Sequence, residues 1–285
     1  MISVENIDMS YGNKQVLNDI QLSIQKNQPH AILGKNGAGK TTLIKIILGL
    51  LKPSKGKVSF PLDKAIFGYL PEERGIYRDV SVEHVLRYFA SLGDSQPANY
   101  QAYLDQFELL PYEKLFVRNL SKGNQQKLQL AVAFVNNPQF IILDEPFSGL
   151  DPLNRELFAN IIREYSKDRY ILISSHQMDK IESLCAQISF LKNGKIIASG
   201  TVDEIKSVYG RKKMLLPQTD AVYQRIKPHY EITVRHHQYE VVVDHYENFK
   251  KILTLLEDVD LHFVHYQSSS IEDIYIQLMT KETDQ

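Results

Sequence analysis

Residues 31–43 read Ala31-Ile32-Leu33-Gly34-Lys35-Asn36-Gly37-Ala38-Gly39-Lys40-Thr41-Thr42-Leu43. The apolar triplet at the start is strand-like and stops at Gly34. A helical run from Leu43 to Leu51 follows. Between them lies the pattern G-x-x-x-x-G-K-[ST]. Each part of it has a physical use. Glycines let the backbone curl until successive N–H groups point inward as an anion nest. The helix that follows presents its positive end to that nest. Lys40 adds a point charge suited to β- and γ-phosphates. Thr41 offers a hydroxyl to Mg²⁺. Residues Gly34, Lys35, Asn36, Gly37, Ala38, Gly39, Lys40, Thr41 and Thr42 are therefore the expected phosphate-binding set.

Working outward, two more short apolar runs have the same character. Phe140-Ile141-Ile142-Leu143 ends at Asp144, and Ile171-Leu172-Ile173 ends at Ser174-Ser175-His176. Such runs are what parallel strands buried on both faces look like. Helical stripes separate them. One is Val82, Val85, Leu86 and Phe89 after an N-cap at Ser81. A second is Leu128, Val132 and Val135. The third is Leu153, Leu157 and Ile161, opened by Asp151 as N-cap and Pro152 at the first helical position. Residues 2–25 read as antiparallel strands around a turn at Tyr11-Gly12-Asn13-Lys14. The class is α/β, with a parallel core sheet and an antiparallel β addition.

The pattern changes near Gly210. The basic run Arg211-Lys212-Lys213 reads as a solvated linker. Strands are expected over 230–235 and 238–244, a helix over 245–257 and a strand over 261–266. Ser269 with Glu272 reads as a capping box opening a last helix that carries Ile271, Ile274, Tyr275 and Leu278. The expected division is residues 1–210 and a small α+β domain of residues 211–285.

Two carboxylates follow the strand ending at Leu143. Asp144 is placed to hold Mg²⁺ through water, and Glu145 to deprotonate an attacking water. His176 lies just past another strand end, where an imidazole can reach a γ-phosphate; a plain loop histidine fits the local sequence equally well.

A phosphate loop alone permits kinases, GTPases and helicases. The segment Leu120-Ser121-Lys122-Gly123-Asn124-Gln125-Gln126-Lys127 narrows the field, because it resembles the signature motif of the ATP-binding cassette (ABC) family. Ser148-Gly149-Leu150-Asp151 resembles that family's D-loop. His176 falls at its switch-histidine position and Tyr11 at its adenine-stacking position. The resemblance covers about residues 1–210. It implies a P-loop NTPase with a RecA-like core and a helical subdomain at about 76–135. It implies an ATPase that binds ATP and Mg²⁺ between two cassettes arranged head to tail. Lys40, Glu145 as general base and His176 as γ-phosphate sensor would act in catalysis. Thr41, Asp144 and Glu72 would lie at the metal. Ser121 and Gly123 would complete the phosphate cage of the partner cassette, and Asp151 would shape the interface.

Two departures stand out. Glu72 occupies a position where the family usually has Gln, and it adds negative charge near a triphosphate. Lys122 replaces the first of two usual glycines. Both resemble a branch of exporter cassettes that pair with separate ABC-2 permeases. The small C-terminal domain and the segment Ser270-Ile271-Glu272-Asp273-Ile274-Tyr275 fit the same branch. The expected function is thus to power an exporter, with a transmembrane permease and a second ABC cassette as partners. A soluble ABC ATPase acting on nucleic acid or ribosomes is the first alternative. It normally has two cassettes or a long coiled coil, and the stretch from Glu72 to Ser121 is too short for the latter. A non-catalytic regulatory ABC protein is the second, and the presence of Lys40, Glu145 and His176 argues against it.

Composition agrees with this reading. The 285 residues are 43% hydrophobic and 24% charged, with a formal net charge of −1. That suits a cored globular protein and gives no electrostatic reason to expect nucleic acid as a partner. No apolar run reaches the roughly 18 residues of a membrane span, and no secretory signal opens the chain. A single cysteine, Cys185, fits a reducing compartment and reads as a small buried residue. The expected location is cytoplasmic, peripheral on the inner face of the cell membrane. Six of the nine histidines follow residue 228. His236-His237 and His262-x-x-His265 invite a zinc reading, but odd spacing in a strand puts the latter pair on opposite faces. Exposed strand histidines are the expectation.

Overall fold

The computed structural model describes residues 1–62, 66–72, 75, 77–93, 100–178, 180–243 and 245–280. Ile76 and Asp244, where expected limits of the helical subdomain and a strand fall, lie outside these residues, as do residues 281–285. The chain forms two compact units, Met1–Thr201 and Val202–Gln285.

In the first unit, β1 (Ile2–Tyr11) and β2 (Lys14–Ile24) form the antiparallel hairpin expected from the sequence, with Tyr11 opposite Lys14 at its tip. Next come β3 (His30–Leu33), α1 (Lys40–Ile47), β4 (Lys55–Ser59) and β5 (Phe67–Leu70). A helical stretch then runs through α2 (Val82–Ser91), α3 (Tyr100–Gln106) and α4 (Lys122–Phe134). The unit closes with β6 (Phe140–Asp144), α5 (Pro152–Tyr165), β7 (Tyr170–Ser175), α6 (Ile181–Leu184), β8 (Gln187–Lys192) and β9 (Lys195–Thr201). Strands β5-β6-β7-β3-β8 pair in parallel and β9 joins antiparallel at the edge. The order β2-β1-β4 makes a separate antiparallel sheet.

The parallel strands are the apolar runs of the sequence. Every residue of β3 and β6 is buried. Helix α1 fills the space between the two sheets, with Leu43, Ile44 and Ile47 packed against Ile7, Leu17 and Ile142. Each such side chain contributes about 1.5–3 kcal/mol by leaving water. Ser81 and Asp151 cap α2 and α5 as expected, accepting from His84 N and Asn154 N. The stripe assigned to α5 holds at its end, where Ile161 is buried and Leu157 half-buried, and fails at its start. Leu153 is 84% exposed, and the buried face is Phe158, Ala159, Ile161 and Ile162. At about 100° per residue, Leu153 points roughly 140° away from Phe158.

His30, the first residue of β3, is buried, with Nε2 2.8 Å from Ser189 Oγ. Burial pushes its imidazole from 6.5 down to about 4. The unfolded chain therefore takes up a proton that the folded chain refuses, and stability falls as pH drops through that window. The loss by pH 5 is on the order of 2 kcal/mol. Urea unfolding of the first unit at pH 7 and pH 5 should show it in the native chain and not in His30→Gln. Equal losses in the two proteins would show that His30 is not held neutral.

The second unit contains α7 (Val202–Tyr209), β10 (Lys212–Pro217), α8 (Asp220–Ile226), β11 (Thr233–Arg235), β12 (Gln238–Val242), α9 (Tyr246–Leu255), β13 (His265–Ser268) and α10 (Ile271–Thr280). The run from β10 to β13 is β-α-β-β-α-β, and the all-antiparallel sheet has the order β11-β12-β10-β13. That is the ferredoxin-like arrangement. Met214, Leu216, Val241 and Val243 meet Val222, Ile226 and Ile252 on one face of the sheet. Helix α7 packs with α10, which places the division at Thr201 rather than near residue 210.

Three sequence expectations change here. Arg211-Lys212-Lys213 is not a solvated linker: β10 is an inner strand, and Lys213 is only 6% exposed. Its ammonium lies 2.8 Å from Asp273 and 2.9 Å from Glu240. Burial alone would lower the Lys213 pKa, but these carboxylates outweigh it and raise it. Burial likewise pushes Asp273 up, and the Lys213 and Ser270 donors bring it below its ordinary value. The capping box also shifts by one residue. Ser270 Oγ accepts from Asp273 N while Asp273 Oδ2 accepts from Ser270 N. Ser269 instead exchanges hydrogen bonds with the backbone of Arg211. His236 and His237 are not strand residues; they form the β11–β12 turn, at φ 48° and 60°. Cys185 is buried, and burial pushes its thiol pKa up.

Candidate functional site

The site begins where β3 stops. After Leu33 the chain turns through Gly34–Gly39 into α1. Gly37 and Gly39 have φ of 81° and 109°, a conformation that residues with a Cβ rarely adopt. A Cβ on Gly34 would lie 2.6 Å from Leu191 O, so this glycine is fixed by close approach. Ala38 N donates to Lys35 O at 3.1 Å and closes the curl.

Lys40 is folded back over the loop, its Nζ donating to Gly34 O at 2.8 Å. The same Nζ lies 3.4 Å from Glu145 Oε1, although that oxygen accepts no hydrogen bond. Thr41 Oγ1 donates to Asp144 Oδ2 at 3.1 Å, and Ser174 Oγ donates to Asp144 Oδ1. Burial raises the Asp144 pKa, against the opposing pull of those two hydroxyls. Burial, followed by the charges of Asp144 and Glu72, pushes the nearby Tyr69 phenol up to about 12.

Glu145 follows Asp144 with φ 53° and is 5% exposed. Ser174 holds this strained residue, since Glu145 N donates to Ser174 O at 3.1 Å. The other carboxylate oxygen, Oε2, accepts from His176 N at 3.2 Å and lies 2.8 Å from His176 Nδ1. The buried carboxylate thus has one oxygen held by His176 and one without a donor.

A cleft of ≈ 600 Å³ opens over this loop. Of the expected nucleotide residues, Tyr11, Asn36, Gly37, Gly39, Lys40, Thr41, Thr42 and Glu72 line it. Tyr11 stands half exposed at the tip of the first hairpin. Ser121 and Gly123 do not line this cleft. Ser121 caps α4 at an exposed helix start, accepting from Asn124 N at 3.2 Å. Gly123 follows in the first turn.

The sequence reading missed five contributors. Lys14, Gln15 and Val16 line the cleft from β2, and Asn193 and Gly194 line it from the β8–β9 turn. The Asn-Gly pair, set between the largely apolar runs ending at Leu191 and starting at Ile196, is a strong hairpin signal that would have located that turn. Ser174 was also passed over, because a serine ending a strand carries no signal by itself.

A parallel sheet with a glycine loop and a helix at its carboxyl edge defines a phosphate-loop nucleotide-binding fold. Residues 17–148 match the family described as ABC transporter. The chain is 39% identical over 209 residues to an ABC transporter ATP-binding protein of Methanocaldococcus jannaschii, across 72% of this chain and 79% of that one. It is 31% identical to a lantibiotic transport ATP-binding protein of Streptococcus pyogenes, across 71% and 92%. A solved ATP-binding subunit of an ABC transporter superposes with a TM-score of 0.68 at 31% identity, over 73% of this chain and 92% of that one. The chain belongs to the ABC transporter ATP-binding protein family, and it is an ATP-binding ATPase subunit of that kind.

Proposed function

We propose that this ATPase powers a membrane exporter, working as one of two facing cassettes against a separate permease. The observation that carries the pairing is a divided site. The phosphate loop lines one cleft and is tied to Asp144 through Thr41 and to Glu145 and His176 through Lys40, while Ser121 and Gly123 have no such tie and stand at the start of α4, Ser121 exposed. A second cassette, identical or related, would bring its own Ser121 and Gly123 to this cleft. The Ser121 hydroxyl, while accepting from Asn124 N, still has its proton to donate to a γ-phosphate. Exposed Asp151 and Leu153, at the start of α5, suit the surrounding contact.

Within the cleft, Tyr11 stacks on adenine and Lys40 holds the β- and γ-phosphates. The donors fit Mg²⁺, which is typically bound by one or two protein oxygens with phosphates and water. Thr41 and Asp144 would hold it, directly and through water, with Glu72 nearby, and it would neutralise phosphate charge. Glu145 Oε1, which accepts no hydrogen bond and has the Lys40 ammonium 3.4 Å away, is the acceptor for the proton of an attacking water, and His176, half exposed, faces the γ-phosphate.

Among the described residues no helix is long and apolar enough to cross a membrane. The helical stretch carries exposed Tyr77, Tyr88, Leu92 and Phe116, a surface suited to a permease segment. The chain would then sit in the cytoplasm, against the inner face of the membrane. A relative named for lantibiotic transport supports a transport role, and the export direction rests on the resemblance of Glu72, Lys122 and the C-terminal domain to exporter cassettes. The test uses Glu145→Gln, which is expected to run as a dimer with ATP and as a monomer without it. It should also co-purify with a neighbouring protein of about six apolar spans. A variant that stays monomeric with ATP and that protein present would overturn the pairing.

A further inference from the structure

We propose that the β8–β9 turn, Asn193-Gly194, is a positioning element for nucleotide binding that locks the phosphate loop to the β1–β2 hairpin. The proposal rests on the reading of the cleft as the ATP site.

The turn has two residues, with Lys192 opposite Lys195. Asn193 and Gly194 have φ of 49° and 76°. Positive φ at two central residues is the type I′ turn, for which Asn-Gly is the preferred pair. An ordinary hairpin turn would project into water. This one donates from Gly194 N to Ala38 O, at 3.1 Å, in the middle of the phosphate loop. Its carbonyl, Gly194 O, accepts from Asn18 N of β2 at 2.8 Å. One residue thus joins the loop to a strand of the other sheet, through one donor and one acceptor.

Steric contacts close the same joint. A Cβ on Gly194 would lie 2.3 Å from Val16 O. A Cβ on Gly39, at the helix start, would meet Leu17 Cδ2 at 2.7 Å and Leu191 Cδ2 at 3.7 Å. The loop, β2 and the turn therefore approach to backbone contact, and glycine is required on both sides of the joint. The carbonyl of Ala38 is the group that gains. Held by Gly194 N, it is turned away from the cleft, and the loop N–H groups are left to face an anion. Without that hold, loop carbonyls are free to turn toward the triphosphate.

The experiment compares Gly194→Ala with Gly56→Ala in the full chain. Gly56 supplies a matched control, since its φ is 83° and its Cβ would lie 2.3 Å from Glu5 O, at a position that does not line the cleft. Both variants should lower the melting temperature. Only Gly194→Ala should raise the KM and Kd for ATP, by roughly tenfold or more, because misplacement of binding groups is felt directly in affinity. Equal changes in the two variants, or none in Gly194→Ala, would overturn the proposal. If Gly194→Ala does not accumulate as folded protein, hydrogen exchange on the unaltered chain decides. The Gly194 amide should exchange more slowly with ATP bound, and an unchanged rate would overturn the proposal. Loss of ATP binding in Lys40→Ala tests the nucleotide reading separately, so the two failures are distinguishable.

Discussion

Replacing Glu145 with Gln is expected to lower the rate of ATP hydrolysis by roughly 10²- to 10⁴-fold, the usual contribution of a placed general base. The reason is the asymmetry of its carboxylate. One oxygen is held by the His176 backbone and ring, while Oε1 is buried without a donor. Gln keeps the size and one acceptor oxygen, so the His176 N contact survives. The backbone at φ 53° is secured by Ser174 and does not depend on the side chain. ATP affinity should therefore stay within a few-fold of the native chain. Phosphate release and a nucleotide titration, run on the same preparation, separate the two effects. Hydrolysis within threefold of native would remove Glu145 from the reaction.

The second large effect is in binding. Lys40→Ala should weaken ATP binding roughly a hundredfold, because truncating one partner of a desolvated charge pair costs about 2–5 kcal/mol. The Lys40 ammonium is held at the loop by Gly34 O and lies near Glu145. Its removal also leaves the buried Glu145 without its nearest cation. ATP should raise the melting temperature of the native chain, in proportion to RT ln(1 + [L]/Kd). The same ATP concentration should leave Lys40→Ala almost unmoved. A full thermal shift in the variant would show that the loop does not carry the phosphates.

Much of this was legible because the chemistry is local. The phosphate loop, the hairpin tip at Tyr11 and Lys14, and the caps at Ser81 and Asp151 are decided by a few neighbouring residues. The failures have the opposite cause. Lys213 reads as solvated because its partner Asp273 lies far away in sequence, and charge alone predicts exposure. The stripe through Leu153, Leu157 and Ile161 found the right helix, but spacing of four drifts around the helix axis, so Ile161 is buried and Leu153 points out. Ser269 and Ser270 are both plausible caps, and only the tie from Ser269 to Arg211 decides between them. The proposed division of the nucleotide site came from family resemblance, because no spacing rule would assign Ser121 to a second cassette's cleft.

The buried Lys213 has a consequence for the order of events during protein synthesis. Its strand, β10, is near the start of the second unit, and Asp273 is in the last helix, α10. At translation rates of roughly 5–20 residues per second, several seconds pass before Asp273 follows Lys213 out of the ribosome. Until then the inner strand of the small sheet holds a cation with an incomplete set of partners. A chain cut before α10 would leave the ribosome with all four strands of that sheet but with Lys213 lacking its Asp273 partner.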